Sequence, residues 1–209
     1  MAMEAMLDRG LKALDLSLSE DMQHSLLRFI GLLTKWNRVY NLTSVRKPQD
    51  MIGRHVLDSL AVLHYVHGPR VLDVGTGAGL PGIPLAVARP DWQFVLLDSS
   101  GKKTRFVQQA VADLGLDNVE VVHTRLEAYG PEQPFDTVVT RAFSSLGDIY
   151  REAARLCSPE GLILAMKGVY PVAEMEALAD RSVVHKVIPL HVPDLDAQRH
   201  LVIMAPHPA

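Results

Sequence analysis

The sequence predicts an α/β domain whose sheet is doubly wound and mostly parallel, ends in an antiparallel C-terminal hairpin, and follows an N-terminal helical extension. Three observations predict this fold. From residue 70 onward, short apolar runs alternate with helical stretches, the pattern of consecutive βαβ units. A glycine-rich segment directly follows the first of these runs. The last two runs are joined by roughly nine residues, too few for a parallel crossover, so we expect those strands to be antiparallel.

Length and composition indicate one cytoplasmic domain. Of the 209 residues, 48% are hydrophobic and 22% charged, as in ordinary globular proteins. We expect a single domain over 1–209, with the helical extension at 1–68 and the core at 69–209. The N-terminal residues are acidic where a signal peptide needs basic ones, and no run of about 18 apolar residues offers a membrane span. The single cysteine, Cys157, excludes an intramolecular disulfide framework and a zinc ribbon.

The extension is predicted to contain two amphipathic helices. Ser19 is a plausible N-cap for a helix that ends near Asn41, and Pro48 interrupts the chain before a second helix over about 50–65. Gly68 and Pro69 then mark the boundary with the core. The apolar stripe of the first helix comprises Met22, Leu26, Phe29, Ile30, Leu33, Trp36 and Tyr40.

The core is predicted to contain seven strands separated by helices. The five parallel strands are expected at Arg70–Val74, Gln93–Leu97, Val119–His123, Thr137–Thr140 and Leu162–Met166. Helices are expected at Gly82–Ala88, Lys102–Leu114, Leu146–Leu156 and Val172–Ala179. The hairpin strands are expected at Val183–Leu190 and His200–Met204.

The segment after the first strand fits the glycine pattern of dinucleotide sites. Gly77, Gly79 and Gly82 satisfy G-x-G-x-x-G, and Asp98 lies about 20 residues further on. This pattern alone would indicate a nicotinamide oxidoreductase. The antiparallel hairpin argues against that class, since a dinucleotide-binding domain does not end in a reversed strand.

A tighter description of the same segment is D-x-G-x-G-x-G, which begins with an acid inside the strand. The glycines at 75, 77 and 79 allow a sharp turn and close approach of a ligand to the backbone. Asp98 ends the second strand, where a carboxylate can accept both hydroxyls of a ribose. We therefore expect Asp73, Gly75, Gly77, Gly79 and Asp98 to bind S-adenosylmethionine, the alternative being a tight turn without a ligand.

The charge pattern suggests a selective polyanionic partner. The net charge is −3, but two stretches, 34–49 and 99–112, contain basic residues and no acid. In the second, Lys102, Lys103 and Arg105 are expected to face RNA, and reversing the charges of Lys102 and Lys103 should weaken RNA binding and spare the cofactor. Solvated helix faces are the alternative. The first stretch carries Lys35, Arg38, Arg46 and Lys47.

Further polar and aromatic residues stand at predicted strand and helix ends. Arg141, just after the fourth strand, would orient a base or a phosphate, and Phe143 would either stack on that base or pack in the core. Lys167 ends the fifth strand and would contact phosphate or remain solvated. Arg54, together with His55, could form a helical ion pair with Asp58, although we favour an RNA-facing role for Arg54.

Some residues are predicted to be structural. His200 is expected to be a satisfied structural histidine, and Trp36 with Tyr40 to pack in the core. His55 has one acid nearby and no second histidine at helical spacing, so we expect no metal site there. Cys157 lies at a helix end and lacks the setting that covalent attack on a pyrimidine needs.

The sequence resembles the ribosomal RNA small subunit methyltransferase G family, also called glucose-inhibited division protein B. The resemblance is carried by LDVGTGAGLPGIP at 72–84, with NLT at 41–43, RHVLDSL at 54–60, LLDS at 96–99, KKTRF at 102–106, RAF at 141–143 and RHL at 199–201. At 103–104 the sequence has Lys-Thr where the family has Arg and an apolar residue. The positive charge is thereby retained.

The resemblance implies a class I S-adenosylmethionine-dependent methyltransferase with a Rossmann-like fold. The expected reaction is methylation of N7 of one guanosine in the decoding region of 16S rRNA, either free or in the assembling small ribosomal subunit, by a monomer. It implies that Gly75 and Leu80 line the cofactor pocket, that Leu126 and Glu127 flank the adenine, and that Arg141 faces cofactor and target base. The alternatives are methylation of another RNA, a protein or a small molecule, and a partner protein that binds the cofactor without turnover.

Overall fold

The computed structural model describes residues 2–141 and 144–207. Helix α1 (Ala2–Ala13), which the sequence did not predict, precedes α2 (Glu20–Tyr40). Ser19 caps α2 by accepting the Met22 N–H at 3.3 Å, and Asn41 ends it in a left-handed conformation at φ 49°. These contacts confirm the predicted bounds of α2.

The helix predicted over 50–65 is a succession of four short pieces. They are α3 (Pro48–Met51), a π-helical turn (Ile52–Leu57), α4 (Asp58–Leu60) and a 3-10 turn (Leu63–Tyr65). The backbone N–H of Asp58 donates to the carbonyls of Gly53 and His55. This irregular bonding rotates Asp58 relative to a continuous α-helix, and π-turns of this kind are frequent at functional sites.

The core alternates strands and helices, as the sequence predicts. Its elements are β1 (Arg70–Val74), α5 (Gly82–Ala88), β2 (Gln93–Asp98), α6 (Gly101–Leu114), β3 (Val119–His123), β4 (Phe135–Arg141), α7 (Leu146–Ala153), β5 (Cys157–Lys167), α8 (Val172–Glu176), β6 (Val184–Pro189) and β7 (His200–Met204). Three differences stand out: β5 begins five residues earlier than predicted, and α7 and α8 each end three residues earlier.

The seven strands form one sheet in the order β3-β2-β1-β4-β5-β7-β6. Strands β1 to β5 are parallel, whereas β7 is antiparallel to both β5 and β6, which confirms the predicted hairpin at the sheet edge. The strand order reverses between β1 and β4. In open α/β sheets, ligands bind at the carboxyl ends of the strands beside such a reversal.

Two apolar cores cover the two faces of the sheet. One joins α1 and α2 to α5 and α6, with Phe29 and Trp36 packed against Phe106 at 6.3 and 5.6 Å between ring centroids. The other lies beneath α7. Of the helices formed by the described residues, none has the length and hydrophobicity needed to cross a lipid bilayer.

Candidate functional site

Two cavities open at the carboxyl edge of the sheet. We call one the glycine-loop cavity, about 380 Å³, which is lined by Gly75, Asp98, Lys103, Leu126 and Glu127, among others. We call the other the arginine cavity, about 570 Å³, which is lined by Arg54, His55, Asp58, Arg141, Lys167 and Arg199, among others. Val74 pairs with Thr140 across β1 and β4, so the glycine loop and Arg141 leave neighbouring strands at the same level. The two cavities are therefore adjacent.

The glycine loop requires its glycines. Gly75, Gly77 and Gly79 all have positive φ, between 60° and 77°, a region that L-residues with side chains rarely occupy. A Cβ on Gly77 would meet only the Gly75 carbonyl oxygen, at 3.8 Å, whereas one on Gly82 would lie 2.0 Å from the Leu96 side chain. Gly77 therefore shapes the turn where space is left for a Cβ, a Cβ on Gly79 would lie 2.5 Å from the Ile83 side chain, and Gly82 allows α5 to pack against the sheet.

Asp73 supports the glycine loop from below. Its Oδ2 accepts the Thr76 hydroxyl at 2.6 Å and the Gly82 N–H at 2.8 Å, while Oδ1 is buried without a partner among the described residues. Because the side chain has no exposed surface, the expected direct contact with a cofactor is corrected to an indirect role through the loop. Burial raises the pKa of the Asp73 carboxyl to about 6.

Asp98 is placed as predicted, at the floor of the glycine-loop cavity. Its two oxygens accept the N–H groups of Gly77 and Ser100 at 2.9 and 2.8 Å, and Lys103 Nζ lies 3.6 Å from Oδ2. A carboxylate has about four acceptor positions, so two remain after these bonds. Asp98 is thus fixed by the backbone and can still accept the two hydroxyls of a ribose.

The 3-10 turn Leu126–Ala128 forms a wall of the same cavity. Arg155 holds this turn by donating to the carbonyl oxygens of Leu126 and Tyr129, at 2.6 and 2.8 Å. The sequence predicted the positions of Leu126 and Glu127 through the resemblance but gave no sign of Arg155. Leu80, also expected at the cofactor, is buried in the apolar core and lines neither cavity, so its side chain shapes the loop rather than the cavity wall.

Asp58 is the centre of the arginine cavity. Its side chain is 2% exposed and accepts Arg141 Nη1 at 2.9 Å and Arg199 Nε at 2.7 Å. The alternative of a helical pair with Arg54 is not realised, because the π-helical turn directs Asp58 toward the sheet and leaves Arg54 exposed at the rim. Arg141 lines this cavity, not the glycine-loop cavity, and its guanidinium also donates to the Arg54 carbonyl at 3.3 Å.

His55 lies neutral beside this ion-pair cluster. Burial and, after it, the neighbouring Arg141 charge lower the pKa of His55 to about 4. Nδ1 lies 2.9 Å from the Arg54 carbonyl oxygen, so it donates, and Nε2 therefore accepts the Thr43 hydroxyl at 2.9 Å. Both ring nitrogens are thus engaged, and His55 connects the loop after α2 to the cavity.

Lys167 lines the arginine cavity, but it is not free to bind phosphate. Its Nζ donates to the Ser144 carbonyl and to Glu174 Oε2, both at 2.8 Å, and its side chain is 13% exposed. The expectation of a phosphate contact or a solvated lysine is therefore corrected. Lys167 ties β5 to α8 and to the chain before α7.

The basic residues of α6 divide between two roles. Lys102 and Arg105 are exposed, as an RNA-facing surface requires, whereas Lys103 lies at the glycine-loop cavity beside Asp98. Reversing the charge of Lys103 would therefore disturb the cofactor cavity as well. The prediction that reversing the charges of Lys102 and Lys103 leaves cofactor binding unchanged is therefore wrong for Lys103.

The remaining candidates have structural roles or are not described. Phe143 lies outside the described residues. The Cys157 thiol is buried, which raises its pKa to about 12, so it is no nucleophile. His200 donates through Nδ1 to the Gly168 carbonyl oxygen at 2.9 Å, which agrees with the predicted structural role. Trp36 packs on Phe106, as predicted. Tyr40 contacts Trp36 but remains 42% exposed.

Sequence comparison finds one family over most of the chain. The family model described as GidB, rRNA small subunit methyltransferase G, matches residues 22–202. A protein of that name from Nitrosococcus oceani is 50% identical over 206 residues, 99% of this chain and 96% of the relative. One from Yersinia pseudotuberculosis is 49% identical over 199 residues, 95% of this chain and 97% of the relative.

Solved structures confirm the fold. A putative O-methyltransferase from Klebsiella pneumoniae superposes with a TM-score of 0.61 at 15% identity and covers 96% of both chains. A SAM dependent methyltransferase from Aquifex aeolicus gives a TM-score of 0.57 at 20% identity, over 81% of this chain and 96% of the other. The Rossmann-like methyltransferase fold predicted from the sequence is thereby confirmed.

Proposed function

Because the chain belongs to the ribosomal RNA small subunit methyltransferase G family, we propose that it methylates N7 of one guanosine in the decoding region of 16S rRNA. S-adenosylmethionine supplies, when bound, an electrophilic methyl group on a sulfonium centre. The observation that carries the proposal is the adjacency of the two cavities at the strand-order reversal. One cavity suits a nucleoside cofactor and the other suits a nucleotide of a polyanion.

The residues of the glycine-loop cavity fit the cofactor. Gly75 lines the cavity directly after β1, and Asp98 keeps two acceptor positions for ribose hydroxyls. Leu126 supplies an apolar wall and Glu127 a polar one. These groups would hold the cofactor so that its reactive end faces the arginine cavity.

The arginine cavity fits a substrate that needs no general base. Guanine N7 carries a lone pair and no proton, so the protein must mainly orient the base and exclude water. Both oxygens of Asp58 are occupied by arginines, and both ring nitrogens of His55 are hydrogen-bonded. The cavity thus provides cationic groups for orientation and offers neither of these residues as a base. Arg141, at the end of β4, is the group we assign to orienting the base.

We also infer where and in what state the protein acts. Its proposed substrate is 16S rRNA, free or in an assembling subunit, which places the reaction in the cytoplasm. We propose that it acts as a monomer.

Methyl transfer from labelled S-adenosylmethionine to 16S rRNA that lacks the modification tests the proposal. We expect label in 7-methylguanosine after nucleoside mass spectrometry. Assembled and partly assembled small subunits should be tested in parallel. Cofactor binding without label in any of these RNAs would overturn the proposal and favour a protein or small-molecule substrate.

Gly77→Ala is expected to weaken cofactor binding at least ~10-fold, because a Cβ is strained at φ +60° and would disturb the loop whose Gly77 N–H fixes Asp98. Gly115→Ala is the matched control, since Gly115 has φ +66° against +60° for Gly77 and nothing within 4 Å of the position that a Cβ would take. Both changes should cost about 1–2 kcal/mol of stability. Calorimetric titration with S-adenosylmethionine checks the difference; equal affinities in the two variants would contradict this assignment of the loop.

The double variant Lys102→Glu/Arg105→Glu reverses the exposed charges of α6 and should weaken RNA binding. The slope of the logarithm of the binding constant against the logarithm of the salt concentration should fall in magnitude by about 1 per lost phosphate contact. Cofactor affinity should be unchanged, because neither side chain lines the glycine-loop cavity. Lys186→Glu, an exposed reversal on β6 at the opposite edge of the sheet, serves as the control. RNA titrations over a range of salt concentrations make the measurement, and an unchanged slope in the double variant would remove α6 from the RNA-binding surface.

A further inference from the structure

An exposed apolar segment borders the arginine cavity. Val169, Tyr170 and Val172 are 71%, 48% and 55% exposed, and they lie within four residues of one another after β5. Only Val39 and Tyr40 are comparably exposed large apolar residues in the part of the chain that the structure describes. Contiguous exposed apolar surface of this kind commonly marks a binding site.

The segment is continuous with the proposed substrate site. Gly168, just before it, lines the arginine cavity, while Tyr170 lines a neighbouring groove of about 440 Å³. Arg199 lines both spaces and is therefore shared by their walls. The walls of the groove also include the apolar residues Pro189 and Leu190. A chain that leaves the arginine cavity can therefore continue directly into this groove.

Tyr170 is held in place although it is exposed. Its ring packs against the His200 ring at 83°, with 5.5 Å between centroids. His200 in turn donates through Nδ1 to the Gly168 carbonyl, which fixes the start of the segment on β7. The tyrosine is thus a preorganised aromatic surface, so little side-chain entropy is lost when a ligand binds to it.

We propose that Tyr170 is a stacking platform for an unpaired RNA base next to the target guanosine. Unpaired bases are recognised by stacking on aromatic rings, while cations bind the phosphates between them. Here the aromatic surface lies in one groove, and Arg199 stands where the connecting phosphate would pass. Apart from Lys167, which is paired with Glu174, the arginine cavity is lined by three arginines and one acid, a charge that suits RNA. The inference rests on the proposed function and extends it to a second nucleotide.

The test compares Tyr170→Leu with Tyr170→Phe on a fragment of 16S rRNA that contains the target guanosine and carries 2-aminopurine beside it. Leucine keeps the apolar bulk and removes the ring face, so we expect roughly a 5- to 100-fold loss of affinity, whereas phenylalanine should bind as the wild type does. The 2-aminopurine fluorescence should be quenched by the wild type and by Tyr170→Phe, and not by Tyr170→Leu. Because stacking releases no counterions, the salt dependence of binding should be the same in all three proteins.

Tyr40→Leu is the matched control, because Tyr40 is also an exposed tyrosine in contact with a second aromatic ring. Its RNA affinity should remain that of the wild type. Equal affinity of Tyr170→Leu and wild type, or an equal loss in Tyr40→Leu, would overturn the proposal. A loss of affinity that Tyr170→Leu shows only with assembled subunits would also overturn it, because the segment would then contact a ribosomal protein. If the wild type shows the Tyr170-dependent quenching but transfers no methyl group to RNA, the proposed function fails and the stacking platform stands.

Discussion

Asp58→Ala is expected to lower the free energy of unfolding by about 3–5 kcal/mol, since removing one member of a buried ion-pair cluster leaves the others uncompensated. Asp58 is almost fully buried, and the two arginines that it binds are 22% and 25% exposed. For a chain of this length the loss corresponds to a decrease in Tm of roughly 6–20 °C. Arg141 and Arg199 would also lose their common anchor, so methyl transfer should fall together with stability.

The control for this prediction is Asp8→Ala, which removes an exposed pair between Asp8 and Lys12. An exposed pair of this kind contributes about 0–1 kcal/mol. Asp58→Asn removes the charge and keeps the size of the side chain, and its amide oxygen can still accept a hydrogen bond from one arginine. The free energies of unfolding are measured by urea unfolding, and an unchanged m-value shows that the variants can be compared. Equal losses in Asp58→Ala and Asp8→Ala would show that the buried cluster does not stabilise the fold.

The second large effect concerns pH, where two buried groups act in opposite directions. The Asp73 carboxyl has a pKa near 6 in the folded protein against 3.8 in an unfolded chain, so raising the pH through this interval costs about 3 kcal/mol. The pKa of His55 is near 4 in the folded protein against 6.5 when unfolded, so lowering the pH through that interval costs about 3 kcal/mol. The two contributions oppose each other between about pH 4 and 6.

Single variants should reveal each contribution. In Asp73→Asn the His55 contribution remains, and stability should fall as the pH is lowered from about 6.5 to 4. In His55→Gln the Asp73 contribution remains, and stability should fall as the pH is raised from about 4 to 6. The wild type should vary less than either. Urea midpoints across this range measure all three proteins, and parallel profiles would show that neither group is perturbed by its burial.

The sequence predicted the sheet well, because its strands are short apolar runs bounded by turn residues. Strands β1, β3 and β7 begin and end at the predicted residues, and the short link before β7 correctly indicated an antiparallel strand. It did not reveal the π-helical turn at 52–57. Apolar residues at 52, 56, 60 and 63 fit a regular helix equally well, and the irregular bonding accompanies tertiary contacts made by Asp58.

The candidate site was predictable where function depends on local sequence. The glycines and Asp98 follow from backbone geometry and strand ends, and they line or shape the predicted cavity. Arg155 and Arg199 were not assigned, since their partners lie 29 and 141 residues away in the chain. Lys167 looked accessible at a strand end, and only the folded structure brings Glu174 to it.

The link between Asp58 and Arg199 also sets when the site can form. Protein chains emerge from the ribosome N-terminal end first, and their early elements begin to fold during synthesis. The glycine loop and Asp98 lie in the first half of the chain, whereas Arg199 directly precedes the last strand, β7. A nascent chain can therefore form the loop and its Asp98 contact long before its arginine cavity is complete. We expect competence for the substrate to be acquired only after β7 has been translated and has paired with β5.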